Sequence, residues 1–121
     1  MIDHVSLEVS DLERSARFYD GLFFALGVRR LHASTGAIAY GVDHATFWLL
    51  QRPGAGTGNG HVAFAARGKA AVDAAHEAGV ASGGRDDGAP GPRPQYGSRY
   101  YAGYLRDPDG LRVEVVTGSG G

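Results

Sequence analysis

The sequence predicts an α+β fold built from two βαβββ modules within one domain. The segment that begins at His4 has a counterpart that begins at His61, 57 residues later, and both read as a strand, a short break and a helix. A chain of 121 residues is long enough for one compact core and too short for two independent domains. We place module 1 at about residues 1–52 and module 2 at about residues 59–118.

Module 1 opens with a strand at residues 2–9, where apolar and polar residues alternate. Ser10 and Glu13 have the spacing of a capping box, and the helix that follows ends at Gly27. Three further short strands complete the module, at residues 28–33, 37–42 and 45–51.

Module 2 repeats this order after a link at residues 53–60. Its predicted elements are a strand, a helix that Gly79 stops and two further strands, at residues 61–66, 69–78, 99–106 and 111–117. The intervening residues 83–98 contain too much glycine and proline for regular structure, so we expect a long loop there. Because long loops in compact domains are usually functional or disordered, we interpret this one as a lid.

The composition narrows the range of functions. A net charge of −1 argues against nucleic acid, which is usually bound by clustered positive charge. No apolar run approaches the roughly 20 residues that a membrane helix needs, and the first residues lack the pattern of a secretion signal. The absence of cysteine excludes disulfides and thiolate metal ligands. We therefore expect a cytoplasmic protein whose partner is a small molecule, and neither nucleic acid nor membrane.

Strand alternation places three polar side chains on one face of the predicted sheet. The apolar residues of each strand pack against a helix, so His4, His61 and Glu114 point to the opposite face. A carboxylate in the middle of an apolar strand is costly to bury unless a partner compensates its charge. Two imidazoles and one carboxylate, with coordination positions left open, suit iron, manganese, zinc or nickel. We therefore predict one divalent metal ion bound by these three side chains.

Three segments carry a family resemblance: DHVSLEVSDLERSARFY at the start, HVAF in the centre and YYAGYLRDPDGLRVEVV at the end. They are similar to the vicinal oxygen chelate superfamily, which includes glyoxalase I, extradiol dioxygenases, fosfomycin-resistance thiol transferases, methylmalonyl-CoA epimerase and bleomycin-binding proteins. The resemblance implies a curved mixed sheet around a cavity, with the helices on its outer face. It also implies a homodimer whose sites combine modules.

The resemblance marks His4, His61 and Glu114 as three of the four family metal positions. The fourth position falls at Trp48, and tryptophan does not ligate metals. The chain therefore departs from the four-ligand pattern of glyoxalase I.

Further residues are candidates for the wall of the cavity. If residues 107–110 form a tight hairpin, Gly103 lies opposite Glu114 and leaves room for a substrate, and Tyr101 shares that face as a candidate acid. Glu8 lies on the metal face of the first strand and is the candidate general base. The remaining candidates for substrate contact are Ser6, Thr46, Trp48 and Arg99. Ordinary packing or solvated surface is the alternative for each of them.

Two main functions are consistent with these residues and with the resemblance. The first is a metal-dependent glyoxalase-like or dioxygenase-like enzyme, a lyase, isomerase or oxygenase that acts on a small molecule with adjacent oxygens. The second is a metal-free protein that binds or sequesters a small molecule such as an antibiotic, and a degenerate enzyme is a third. Sequestration gives no reason to place two imidazoles and a carboxylate together, so we favour the enzyme.

Overall fold

The computed structural model describes residues 1–56 and 60–120. The described chain runs through two successive βαβββ modules, which confirms the predicted α+β class. Residues 57–59, which belong to the predicted link and the expected start of module 2, lie outside the described residues.

The elements of each module have the following bounds. Module 1 contains β1 (Val5–Val9), α1 (Leu12–Phe24), β2 (Arg29–Ala33), β3 (Ala37–Gly41) and β4 (Ala45–Gln51). Module 2 contains β5 (His61–Ala65), α2 (Lys69–Ala81), β6 (Arg85–Pro92), β7 (Tyr101–Arg106) and β8 (Arg112–Thr117).

Each module forms its own four-stranded mixed sheet. The strand orders are β1-β4-β3-β2 and β5-β8-β7-β6, with β1 parallel to β4 and β5 parallel to β8. This order leaves β1 and β5 at sheet edges. No strand pairing joins the two sheets within the described residues, so the two halves of the expected curved sheet are separate in one chain.

The core lies between the two sheets and contains both helices. Phe47 of β4 and Phe64 of β5 meet with ring centroids 5.2 Å apart, and Phe23 of α1 packs edge-on against both of them. Such edge-to-face contacts are favourable beyond the area they bury. Because the helices pack on the inner face of each sheet, the opposite face of each sheet is turned outward. We call these outward faces the open faces of modules 1 and 2.

Hydrogen bonds to the turn between β7 and β8 tie the modules together. The backbone N–H of Ser10 donates to Asp109 at 3.0 Å, and the hydroxyl of Tyr19 donates to Asp107 at 2.7 Å. The predicted capping box is wrong, because Asp11 and not Ser10 caps α1, by accepting a hydrogen bond from the backbone N–H of Arg14. The Ser10 side chain bonds Asp109 across the module junction instead.

The predicted loop at residues 83–98 is partly wrong, because residues 85–92 form β6. Among the described strands it pairs with β7 alone, and its register shifts on either side of Gly88. An edge strand with bulges tolerates glycine and proline, since its outer side needs no ladder hydrogen bonds. Residues 85–92 are therefore an edge strand and not part of a loop.

The predicted pairing of β7 with β8 is wrong by one residue. Tyr104, not Gly103, lies opposite Glu114, because Arg106 pairs with Arg112 and the connection from 107 to 111 is one residue longer than a tight hairpin over 107–110. A slip of one residue turns every side chain of a strand to the other face. Tyr101 and Gly103 therefore lie on the helix side of the sheet, while Tyr104 lies on the open face.

Candidate metal and substrate site

Glu114 is a carboxylate in the middle of β8 that is only 3% exposed. Its Oε1 lies 3.3 Å from Nε2 of His61, and its Oε2 accepts a hydrogen bond from the hydroxyl of Tyr100. Within the described residues no lysine or arginine forms an ion pair with this carboxylate. A buried carboxylate without a full cationic partner is costly, which makes this position a candidate functional site.

His61 lies on β5, the parallel neighbour of β8. In that register Ala63 pairs with Glu114 and His61 pairs with Arg112. The side chains of His61 and Glu114 therefore both project from the open face of module 2. The His61 side chain is about half exposed, at 47%. The strand parity predicted for this pair agrees with the structure, and the imidazole has room for a further contact.

His4 lies just before β1, in the other sheet. Its side chain is about half exposed and its Nδ1 lies 3.1 Å from Oδ2 of Asp3. The described residues contain no group of three histidine, aspartate or glutamate side chains arranged to hold a metal ion. One chain therefore brings His61 and Glu114 together without His4, because the helical core separates the two open faces.

The other candidates of module 1 share its open face. Ser6 pairs with Trp48 in the parallel β1–β4 ladder, and the Trp48 ring lies 5.4 Å from the ring of His32. Thr46 is exposed on the same strand, β4. The carboxylate of Glu8 is exposed and forms an ion pair with Arg52 at 2.8 Å. These positions form a wall beside His4 but do not reach the His61–Glu114 pair of the same chain.

Three candidates of module 2 lie away from Glu114. The hydroxyl of Tyr101 donates to Asp73 of α2 at 2.7 Å. A Cβ at Gly103 would meet Pro90 and the ring of His76 at 3.1 and 3.2 Å, so this glycine permits close packing toward α2. Arg99 lines a cleft of about 400 Å³ at the start of α2.

Tyr100 and Tyr104 lie beside Glu114, where the sequence predicted Tyr101 and Gly103. The hydrogen bond to Glu114 raises the pKa of the Tyr100 phenol well above its usual range. Burial raises the pKa of Tyr104, whose ring lies under the guanidinium group of Arg112, 4.2 Å from the ring centroid. The alternation of YYAGYLR contained this signal, but choosing the correct face required the length of the turn.

The sequence matches the model of the glyoxalase/bleomycin resistance protein/dioxygenase superfamily over residues 1–115. The chain belongs to this superfamily. A search among curated proteins found no match.

Solved structures of this superfamily resemble the chain over nearly its whole length. A glyoxalase/bleomycin resistance protein from Albidiferax ferrireducens is 33% identical, with a TM-score of 0.81, and the alignment covers 94% of this chain and 95% of that one. A fosfomycin resistance protein from Mesorhizobium loti is 25% identical, with a TM-score of 0.72 and coverage of 98% and 92%. A lactoylglutathione lyase from Agrobacterium tumefaciens is 24% identical, with a TM-score of 0.70 and coverage of 98% and 94%, and this likeness shows the fold alone.

The superfamily contains enzymes, dioxygenases among them. No helix of the described residues is long and apolar enough to cross a membrane.

Proposed function

We propose that the chain is a metal-dependent glyoxalase-like or dioxygenase-like enzyme that acts on a small molecule with adjacent oxygens. The observation that carries the proposal is the His61–Glu114 pair: a carboxylate 3% exposed, 3.3 Å from a half-exposed imidazole, with no arginine or lysine to neutralise it within the described residues. Members of the superfamily commonly use a divalent metal ion, and this donor pair suits one.

The third ligand in this proposal is His4 of a second copy of the chain. His4 and His61 hold equivalent places in the two modules, and each open face carries part of the predicted site. In a twofold dimer, module 1 of each copy faces module 2 of the other, which makes two equivalent sites from self-complementary surfaces. The edge strands β1 and β5 offer unpaired backbone groups for such an interface.

The side chains around this site have separable roles. A divalent ion held by His4, His61 and Glu114 would supply Lewis acidity to the oxygens of the substrate. Tyr100 holds the Glu114 carboxylate through its hydroxyl, and such outer contacts fix the direction of a ligand. Ser6, Thr46 and Trp48 of the second copy would form the opposite wall, and its Glu8 is the candidate base. Tyr101 and Gly103 have no role here, because they lie on the helix side.

Metal analysis of protein purified without chelators tests the ligand set. We expect stoichiometric divalent metal in the wild type and in His44→Ala, an exposed histidine outside the site, and loss of the metal in His4→Ala, His61→Ala and Glu114→Gln. If the wild type carries no metal, and binds none when it is supplied, the metal-free binding function is favoured instead.

Mixing two variants that have each lost the metal tests whether two copies of the chain share one site. A His4→Ala chain and a Glu114→Gln chain each lack one ligand, but their heterodimer contains one complete site if His4 comes from the other copy. We expect the mixture to regain metal to about half of the wild-type content within those heterodimers, as the twofold arrangement requires. A site built within one chain would regain none.

The metal-free binding function has one observation in its favour. Trp48, at the fourth family metal position, is an aromatic surface on the open face next to His32. Tight binding of an aromatic ligand that is unchanged by a chelator and lost in Trp48→Ala would support it.

A further inference from the structure

Beside Glu114, the open face of module 2 carries a concentration of arginine and tyrosine that the metal ligands do not explain. A cleft of about 220 Å³ lies there, and we call it the tyrosine–arginine cleft. Side chains that line it include Asp87, Arg93, Tyr96, Tyr104 and Arg112.

The charge of this cleft is unbalanced. The Asp87 carboxylate is shared by two arginines, since its Oδ2 lies 3.0 Å from Nε of Arg106 and 3.2 Å from Nε of Arg112. The Arg112 contact is not aligned as a hydrogen bond, and this Nε has no hydrogen-bond partner. No carboxylate pairs with Arg93 within the described residues. Arg106 and Arg112 therefore share one carboxylate while Arg93 has none, and this excess of positive charge would attract an anion.

The guanidinium group of Arg93 is held in place but incompletely bonded. Its Nη2 donates to the carbonyls of Ala89 at 2.7 Å and Ala102 at 3.2 Å, and its central carbon lies 5.3 Å from the centroid of the Tyr104 ring. Its Nε is buried without a partner, and its Nη1 makes no hydrogen bond within the described residues. A cation that the backbone positions in advance loses little entropy when a ligand binds.

The cleft lies next to the proposed metal site. Tyr104 is the cross-strand neighbour of Glu114, so their Cα atoms face each other in the ladder. Tyr96, which lines the cleft, has its ring 5.3 Å from the ring of Tyr100, and Tyr100 bonds Glu114. A ligand in the cleft would therefore lie within one side chain of the Glu114 carboxylate.

We propose that the tyrosine–arginine cleft binds the carboxylate of a small aromatic or otherwise planar substrate, with Arg93 as the residue that selects the anion. Arg93 offers charge and a free N–H donor, and the exposed ring of Tyr96 offers an apolar wall. A volume of about 220 Å³ is enough for one ring. The proposal rests on the proposed function only in placing the reacting part of the substrate near Glu114.

Binding of benzoate and of its neutral isostere benzamide to chelator-treated protein tests this proposal, with affinity followed by two-dimensional NMR. We expect benzoate to bind at least about tenfold more tightly than benzamide, since a hydrogen bond to a charged group has that worth. The shifted signals should belong to Tyr96, Tyr104 and their neighbours, and higher salt should weaken benzoate alone.

Two matched variants assign the effect to Arg93. We expect Arg93→Gln to weaken benzoate binding by about tenfold and Arg93→Lys to retain the preference for benzoate over benzamide. Arg85→Gln, at an exposed arginine of β6, the strand that ends just before Arg93, should behave as wild type. Equal binding of benzoate and benzamide by the wild type, or shifts confined to the cleft of Lys69 and Arg99, would overturn the proposal.

These outcomes are independent of the metal. If Arg93→Gln fails to fold, the wild-type comparison and the Arg93→Lys variant still decide. A failed metal analysis would leave benzoate binding intact, and a failed benzoate test would leave the metal ligands untouched.

Discussion

The hydroxyl of Tyr19 in α1 donates a hydrogen bond to Asp107, a carboxylate that is 4% exposed in the turn between β7 and β8. This bond joins the helix of module 1 to the hairpin of module 2. Burial raises the pKa of the Asp107 carboxyl, and the hydrogen bond from Tyr19 opposes that effect.

Replacing Tyr19 with Phe should destabilise the protein by roughly 1–3 kcal/mol, because a buried carboxylate loses its donor. The folded-state pKa of Asp107 then rises further above the unfolded value, so folding stability falls as pH rises through that interval. We therefore expect the stability gap to the wild type to widen from about pH 4 toward neutrality. Urea unfolding at several pH values measures it, and Tyr101→Phe, at an exposed hydroxyl, is the matched control. A gap that narrows with rising pH would contradict this account.

We expect the Asp86 carboxylate to make folding stability fall at acidic pH. Nε2 of His76 lies 2.9 Å from Oδ1 of Asp86, and the backbone N–H of Gly88 also donates to this carboxylate. The Gly88 N–H first, and His76 second, lower the pKa of Asp86. A lowered folded-state pKa contributes stability above the unfolded value that is lost as pH falls through the folded one.

Asp86→Asn should therefore flatten the fall in melting temperature on acidification below about pH 4. Thermal unfolding of the variant and the wild type between acidic and neutral pH measures the difference. If the melting temperature falls equally with pH in the two proteins, Asp86 does not cause the loss of stability in acid.

The close packing just before β6 requires a glycine at position 84. A Cβ at this position would lie 2.3 Å from Cε1 of the buried Phe18 ring, whereas a Cβ at Gly36 meets nothing within 4 Å. Gly84→Ala should cost about 1–3 kcal/mol through overpacking, and Gly36→Ala should leave stability within about 0.5 kcal/mol. Chemical unfolding of both variants checks this, and equal stabilities would contradict the predicted clash.

Tyr100 should control metal affinity without being a ligand. Tyr100→Phe removes the hydroxyl that holds Oε2 of Glu114, and loss of such an outer contact typically weakens metal binding by 10–100-fold. We expect at least about a tenfold loss in a metal titration and little change in Tyr101→Phe. Unchanged affinity in Tyr100→Phe would remove Tyr100 from the site.

Alternation alone predicted which strand residues face the helices wherever a strand starts from an unambiguous apolar pattern. His61 and Glu114 were assigned to one face in this way, and the structure places them 3.3 Å apart. The same reasoning failed for Tyr101 and Gly103, because their face depends on the turn at residues 107–111 and one extra residue inverts the strand.

The composition of residues 85–92 did not predict their secondary structure, which depends on pairing with a neighbouring strand. Glycine and proline at residues 85–92 predicted a loop, yet the segment forms β6 because the neighbouring β7 supplies its ladder on one side. No property of the segment alone reveals such a partner, since β structure depends on contacts that are distant in sequence.

The sequence by itself determined the two βαβββ modules, the helix-facing residues of β1, β5 and β8, and the pairing of an imidazole with a buried carboxylate. These depend on local periodicity and on a repeat that can be read directly along the chain. Only the tertiary structure decided that His4 lies apart from His61 and Glu114, and that Tyr100 and Tyr104, rather than Tyr101 and Gly103, flank Glu114. The physical reason is that the core between the sheets turns their open faces outward, and the relative placement of two sheets is a property of packing that no single strand encodes.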